Sequence, residues 1–111
     1  MFASNTFQSN PTAVATILNI IKANSALGIC GSLVALAART DTTAALSTIK
    51  VPTLLLVGEE DKLTPPSASE SMHERIARSE LHVLAKAAHM SNLENPEEFN
   101  AYLNAFLKKL N

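Results

Sequence analysis

Residues 51–61 have the sequence VPTLLLVGEED, and the way this stretch folds constrains everything around it. Thr53 to Val57 is an unbroken run of apolar and β-branched residues between Pro52 and Gly58, a pattern typical of a strand covered on both faces, as in a parallel sheet. Asp61 then lies in the loop that leaves the carboxyl end of this strand. In open α/β sheets, that edge is where ligands and chemistry are placed.

A second strand is predicted at about residues 81–85, after a helical stretch, and the loop behind it carries His89. A right-handed strand-helix-strand unit brings both loops to the same edge of the sheet, with neighbouring strands about 4.8 Å apart. Asp61 and His89 can then share a hydrogen bond that fixes the imidazole tautomer and leaves its other nitrogen free as a general base. The simpler alternative is that Asp61 caps a turn and His89 caps a helix beginning near Ser91.

Three segments carry a resemblance to the C-terminal third of an α/β-hydrolase: residues 49–61, residues 64–66 (Thr-Pro-Pro) and residues 88–97, AHMSNLENPE. Within that superfamily the chain is most similar to the esterase and enol-lactonase-like branch. The resemblance covers roughly residues 10–111. It includes nothing of the family's N-terminal half, which holds the nucleophile elbow and its serine, so the sequence is interpreted as a truncated hydrolase.

The resemblance implies an α/β fold class, namely a partial α/β-hydrolase fold in which helices flank two parallel strands. It implies that Asp61 orients the catalytic base His89. Residues 1–50 match the end of the family's cap, and residues 51–111 match the C-terminal βαβα part of its core, the two forming one compact unit. The implied activity is hydrolysis of a small carboxylic ester or lactone. The alternative is a non-catalytic homodimeric fragment or binding module that retains half the fold.

The nucleophile for such a reaction has three possible sources: Cys30, an activated water, or a second polypeptide that supplies the N-terminal half. Residues 28–32, GICGS, have the small-x-nucleophile-x-small pattern of an elbow between a strand and a helix. Against this, the strand before Cys30 would consist of Ala26-Leu27 and little more, whereas a strand usually has about five residues. Helix packing is therefore the alternative role for Cys30.

Composition excludes several other classes of function. The formal net charge of −1, from nine basic and ten acidic residues, argues against nucleic acid as a partner. A single cysteine excludes an internal disulfide and fits a cytoplasmic location. The N-terminus lacks the features of a signal peptide, and no apolar run reaches the length of about 18 residues expected of a membrane span. No phosphate loop or metal-ligand spacing occurs, so we expect neither cofactor nor metal.

Apolar periodicity and capping residues predict the helices. Asn10-Pro11 starts a helix that continues through Ile21, and Ser25 caps a second helix running to Arg39. Thr64 is predicted to cap a third helix whose Ala68, Met72 and Ile76 face the sheet. A terminal helix begins at Asn95-Pro96 with Glu98 in a capping box, and its apolar positions are Phe99, Leu103, Phe106 and Leu110.

Several residues are given no role in chemistry. The first ten residues are polar and without period, and are expected to be frayed. His73 and His82 are interpreted as surface or hydrogen-bonded histidines. Glu94 is expected to hydrogen-bond locally and is not assigned to catalysis.

Two parallel strands are too few for an independent sheet, because the apolar strand at residues 53–57 would present a bare edge to water. A two-fold axis that pairs this strand with its own copy would give a mixed four-stranded sheet. We therefore expect a homodimer, or alternatively a complementing N-terminal hydrolase half.

Overall fold

The computed structural model describes residues 1–110 and has two strands and six α-helices in that range. In chain order the elements are α1 (Thr6–Ser9), α2 (Pro11–Ala23), α3 (Ala26–Ala37), a 3-10 helix (Thr43–Thr48), β1 (Thr53–Gly58), α4 (Pro66–Arg75), β2 (Ser79–Leu84), α5 (Ser91–Glu94) and α6 (Pro96–Lys108). The predicted fold class is confirmed. The predicted division at residue 50 stays a prediction.

The two strands form a parallel pair whose register runs from Thr53 opposite Ser79 to Gly58 opposite Leu84. Both carboxyl ends therefore lie at the same edge, as the crossover predicts. β2 begins two residues earlier than expected, at the polar pair Ser79-Glu80. These residues belong to the strand because β1 offers backbone partners along its whole length, a contribution that apolar patterning does not reveal.

α4 and α6 supply the helices that pack against this sheet. Asn95 caps α6 by accepting a hydrogen bond from the Glu98 backbone N–H at 3.2 Å, as predicted, and Phe106 on the apolar side is buried. The predicted cap of α4 is wrong: its N-cap is Pro65, without a side-chain hydrogen bond. Its buried position is Ser69 rather than Ala68, which is exposed.

The first six residues are held against the segment that contains His89 and Glu94, so the expectation of a frayed N-terminus is wrong. Ala3 and Thr6 are each only 2% exposed. The Ala3 N–H and the Thr6 hydroxyl both donate to Glu94, about ninety positions later in the sequence. Local composition could not predict this segment because the contacts that bury Ala3 and Thr6 are made with a residue far away in the sequence.

α2 and α3, in contrast, leave much apolar surface uncovered. Ser25 caps α3 as predicted, by accepting from the Gly28 backbone N–H at 3.0 Å, but none of the residues of α3 is buried. The radius of gyration is 16.0 Å, compared with about 13 Å for a compact domain of this length. Within residues 1–110 no single helix is long and apolar enough to cross a membrane; α2 and α3 meet that requirement only as a pair, bent by 98° at their junction.

Gly58 is the point of closest approach between the end of β1 and the loop that carries His89. A Cβ at this position would overlap the backbone carbonyl groups of both Ala87 and Ala88. Those two residues are almost fully buried, so they have little room to move away. Gly58 is thus required for steric reasons, since a side chain there would separate the two loops.

We expect Gly58→Ala to lower the free energy of unfolding by about 1–3 kcal/mol, as overpacking does in a buried site. Gly31→Ala is the matched control, because a Cβ at position 31 meets nothing within 4 Å. Gly31 lies within α3, so alanine there should stabilise the helix by up to about 1 kcal/mol. Urea denaturation of both variants measures the difference; equal midpoints would contradict the steric role of Gly58.

Candidate active site

The candidate active site lies where the loops that follow β1 and β2 meet. Two backbone hydrogen bonds continue the pairing beyond the strands, from the Glu59 N–H to the Leu84 carbonyl at 2.9 Å and from the Glu60 N–H to the Ala87 carbonyl at 2.8 Å. The next residue of the first loop is Asp61. The parallel pairing thus delivers Asp61 towards the loop that contains His89.

Asp61 is buried, with 6% of its surface exposed, and it accepts four hydrogen bonds. Its Oδ1 accepts from the backbone N–H groups of Leu63 at 2.8 Å and Thr64 at 3.0 Å. Its Oδ2 accepts from the Thr64 hydroxyl at 2.8 Å and lies 2.9 Å from His89 Nδ1. The turn after β1 therefore fixes one carboxylate oxygen and aims the other at the imidazole.

The charge state of Asp61 follows from these contacts. Burial by itself raises the pKa of this carboxyl group, but the hydrogen bonds from Thr64, His89 and Leu63 together outweigh burial and lower the pKa from 3.8 to about 2. Asp61 is accordingly ionised at neutral pH, and an ionised carboxylate can only accept hydrogen bonds. The proton between the two side chains must then reside on His89 Nδ1.

With Nδ1 protonated, the neutral imidazole of His89 has its lone pair on Nε2. No residue in the described part of the chain hydrogen-bonds to Nε2, and the His89 side chain is 39% exposed. A cavity of about 160 Å³ lies between the N-terminal residues and the loop after β1, on the two sides of Asp61 in the sequence, and is lined by Met1, Phe2, Ala3, Ser4, Glu60 and Lys62. The arrangement presents a fixed, accessible nitrogen base, which can accept a proton from a nucleophile.

Thr64 belongs to this site, whereas its sequence context predicts only a cap for α4. Its hydroxyl donates to Asp61 and lies 3.2 Å from His89 Nδ1. The spacing Asp-x-x-Thr after a strand is compatible with a side-chain turn of this kind and could have indicated the contact. Thr64 holds the Asp61 carboxylate in the orientation that His89 requires.

The backbone around His89 is also held by partners that the sequence did not reveal. The His89 N–H donates to the Met1 carbonyl at 2.9 Å, and the Ala88 N–H donates to Glu94 Oε2 at 2.8 Å. The expected local hydrogen bond of Glu94 is present, but its other oxygen reaches the N-terminal residues. No sequence periodicity marks such a contact.

Cys30 lies on the exposed middle of α3, not at a turn between a strand and a helix. Residues 28–32 are helical, and the Ser32 hydroxyl donates to the Gly28 carbonyl one turn earlier at 2.9 Å. The elbow interpretation of this segment is therefore wrong, because β1 is the first strand among residues 1–110. A nucleophilic role for Cys30 stays a prediction without elbow geometry to support it.

The other two histidines are engaged elsewhere. His73 Nδ1 lies 2.7 Å from the Ser79 hydroxyl, and His82 stacks on Tyr102 with ring centroids 3.9 Å apart. Among the residues that the structure describes, no three His, Cys, Asp or Glu side chains lie close enough together to bind a metal ion.

The lowered pKa of Asp61 predicts how stability depends on pH. A carboxyl group whose pKa is lower in the folded chain stabilises it fully above the unfolded value of 3.8, and this contribution is lost as pH falls through 3.8 towards 2. The shift corresponds to about 2 kcal/mol. Unfolding free energies between pH 6 and pH 2 should show this loss in the parent chain and lack it in Asp61→Asn. Glu59→Gln, which changes an exposed carboxylate of the same loop, should retain it; equal losses in the parent and Asp61→Asn would contradict the assignment.

The sequence of the chain matches a known protein family. The family model for serine aminopeptidase, S33, matches residues 20–96. Among curated proteins, the chain is 31% identical over 110 residues to 3-oxoadipate enol-lactonase 2 of Acinetobacter baylyi, covering 99% of this chain and 40% of that protein. It is 40% identical over 72 residues to the pimeloyl-[acyl-carrier protein] methyl ester esterase of Neisseria meningitidis serogroup B, covering 65% of this chain and 28% of that one.

Solved structures agree with this placement. A thermophilic esterase from Thermogutta terrifontis, solved with malate bound, matches with a TM-score of 0.93 and 29% identity over 98% of this chain and 40% of its own. The chain thus spans about 40% of the length of the relatives that it matches along nearly its whole extent. Its strand pairing and flanking helices are those of the corresponding part of these enzymes. The chain belongs to the α/β-hydrolases, in the serine aminopeptidase S33 family.

Proposed function

We propose that this chain contributes the acid–base pair of a hydrolase that acts on carboxylic esters or lactones. The observation that carries the proposal is the 2.9 Å contact between Asp61 Oδ2 and His89 Nδ1, with His89 Nε2 open to solvent. The curated relatives include an enol-lactonase and a methyl ester esterase, which supports the choice of substrate class. The substrate's leaving group is an alkoxide or enolate, which needs a proton as it departs.

The proposed mechanism uses His89 twice. Nε2 first removes a proton from the attacking hydroxyl, thiol or water as that atom bonds to the substrate carbonyl carbon. The resulting imidazolium is stabilised by ionised Asp61, and it then donates the same proton to the departing oxygen. General acid–base catalysis of this kind contributes about 10²–10⁴-fold to rate.

The nucleophile and the oxyanion hole determine how fast the reaction is. In this fold, the oxyanion donors come from the residue after the nucleophile and from a loop in the N-terminal half. Neither segment is recognisable in the sequence of residues 1–111. Each missing donor costs about 10²-fold or more in rate. We therefore propose that the chain alone is a slow esterase with water or Cys30 as nucleophile, and that a second polypeptide carrying the serine raises the rate.

The first test is hydrolysis of p-nitrophenyl acetate by the purified chain. His89→Ala should lower kcat/KM by about 10²-fold or more because the base is removed. Asp61→Asn should lower it by at least about tenfold, since the amide no longer fixes the Nδ1–H tautomer. Cys30→Ala then reports on the nucleophile: an unchanged rate indicates water, and a lost rate indicates the thiol.

Surface imidazoles also hydrolyse activated esters, so a matched histidine control is needed. His73→Ala and His82→Ala remove the other two histidines and leave the Asp61 contact intact. Both variants should retain the parent rate. A rate that is unchanged by His89→Ala, or lowered equally by all three histidine variants, would contradict a site at Asp61 and His89 and would favour the alternative of a non-catalytic binding module.

We also propose that the chain associates with a second copy of itself through the open edge of β1. The Thr53 N–H donates to the Arg78 carbonyl and the Glu59 N–H to the Leu84 carbonyl, at 2.9 Å each. In a parallel ladder, alternate residues face the same partner, so the N–H groups of Leu54 and Leu56 point to the opposite edge. Within residues 1–110 no further strand pairs with that edge.

The exposed surface, much of whose apolar part lies on α2 and α3, is large enough for an extensive interface with a second copy. The accessible surface is 7742 Å², about 1,800 Å² more than the roughly 5,950 Å² expected of a folded monomer of this mass. Burying such an excess on each of two chains matches the interface size of an obligate homodimer, about 2,000–5,000 Å² in total. A two-fold axis would pair the two β1 strands in antiparallel fashion.

Sedimentation at micromolar concentration should therefore give twice the chain mass of 11.9 kDa. Amide hydrogen exchange can locate the interface. The N–H groups of Leu54 and Leu56 should be protected from exchange in the dimer and should exchange faster when dilution dissociates it. A monomeric mass, or a dimer in which these two amides exchange freely, would contradict pairing through β1.

A further inference from the structure

We propose that Glu94 is a positioning residue for His89, and that it acts by fastening an N-terminal strap, residues 1–6, to the loop that carries the base. The inference rests on the proposed function, because it assigns Glu94 a role in orienting the proposed catalytic base. It concerns a carboxylate that lies outside the Asp61–His89 contact and that the mechanism above does not use.

The Glu94 carboxylate joins two segments that are far apart in the sequence. Oε1 accepts from the Ala3 backbone N–H at 2.7 Å and from the Thr6 hydroxyl at 2.6 Å. Oε2 accepts from the Ala88 backbone N–H at 2.8 Å. Ala3, Thr6 and Ala88 are each 2% exposed, so water cannot easily replace any of these bonds.

The strap also binds the backbone of His89 directly. The Met1 carbonyl accepts from the His89 N–H at 2.9 Å, next to the Ala88 N–H that Glu94 binds. Two consecutive backbone N–H groups are thereby fixed, one by a side chain and one by the strap. Fixing both peptides sets the direction in which the His89 side chain leaves the backbone, and hence its approach to Asp61.

The chemistry of this junction calls for a carboxylate. Three donors converge on the two oxygens of Glu94, and only a group without a donor of its own can accept from all of them. Glutamine would turn an NH₂ group towards either the strap or Ala88 and leave a buried donor unsatisfied. Aspartate is one methylene shorter and cannot reach both segments from the same backbone position.

Small displacements of a base matter because proton transfer requires hydrogen-bond distance and alignment, and a misplacement of about 1 Å can cost about 10²-fold in rate. Loss of the Glu94 contacts should therefore weaken the Asp61–His89 contact without removing either residue. The expected signature is a lower kcat at nearly unchanged KM, together with a changed environment of the proton on His89 Nδ1.

The experiment uses Glu94→Gln and the milder Thr6→Val in the full chain labelled with ¹⁵N. The first readout is the Nδ1–H proton signal of His89, assigned by its loss in His89→Ala. It should shift or broaden in both variants. The second readout is ester hydrolysis, where Glu94→Gln should lower kcat about tenfold or more and Thr6→Val about threefold, with KM within about twofold of the parent.

Two controls separate positioning from loss of stability. Glu97→Gln changes an exposed carboxylate in the first turn of α6 and should leave both readouts unchanged. Ile76→Val trims a buried side chain before β2, at the opposite end of the strands, and should lower stability without altering the His89 signal.

An unchanged Nδ1–H signal in Glu94→Gln and Thr6→Val would overturn the proposal, as would an equal change in Ile76→Val. The spectroscopic readout does not need turnover. If the parent chain hydrolyses no ester, the proposed function fails while the signal still decides whether Glu94 positions His89.

Discussion

The parallel pairing of β1 with β2 is the constraint on which the rest of the structure depends. Its register sets Gly58 beside Leu84 and so brings the two following loops together at one edge. The backbone bonds made by Glu59 and Glu60 extend this contact as far as Asp61. Because Gly58 has no side chain, the second loop can lie directly against the first. The hydrogen bond between Asp61 and His89 is a consequence of this pairing.

Strands and helices that are marked by a local sequence pattern, such as an apolar run or a capping residue, could be predicted from the sequence. The apolar run before Gly58 indicates a buried strand, and the cap at Asn95 indicates where α6 begins. Asp61 and His89 could be paired because each follows a strand of the same crossover unit. Thr64 was misassigned because a threonine before prolines satisfies the rules for a helix cap equally well, and only the position of His89 decides between the two roles.

The order of the N-terminal residues could not be predicted, for a related reason. Ala3 and Thr6 are ordinary small residues, and nothing in their neighbours indicates that both are buried. What fixes them is a carboxylate nearly ninety positions later, and hydrogen bonds between distant segments leave no periodic trace in a sequence. The apolar residues of α3 show the reverse case. Apolar side chains usually pack into a core, but every residue of α3 is exposed.

The contact between the N-terminal residues and Glu94 also bears on how the chain folds. Closing a loop of about ninety residues costs chain entropy that grows with the logarithm of its length, and contacts of such sequence separation form late. The two strands and their crossover helix involve much shorter separations, so they can assemble first. The last step then joins residues 1–6 to Glu94 and to the backbone of His89. Refolding followed at the imidazole should consequently lag behind refolding followed at the sheet.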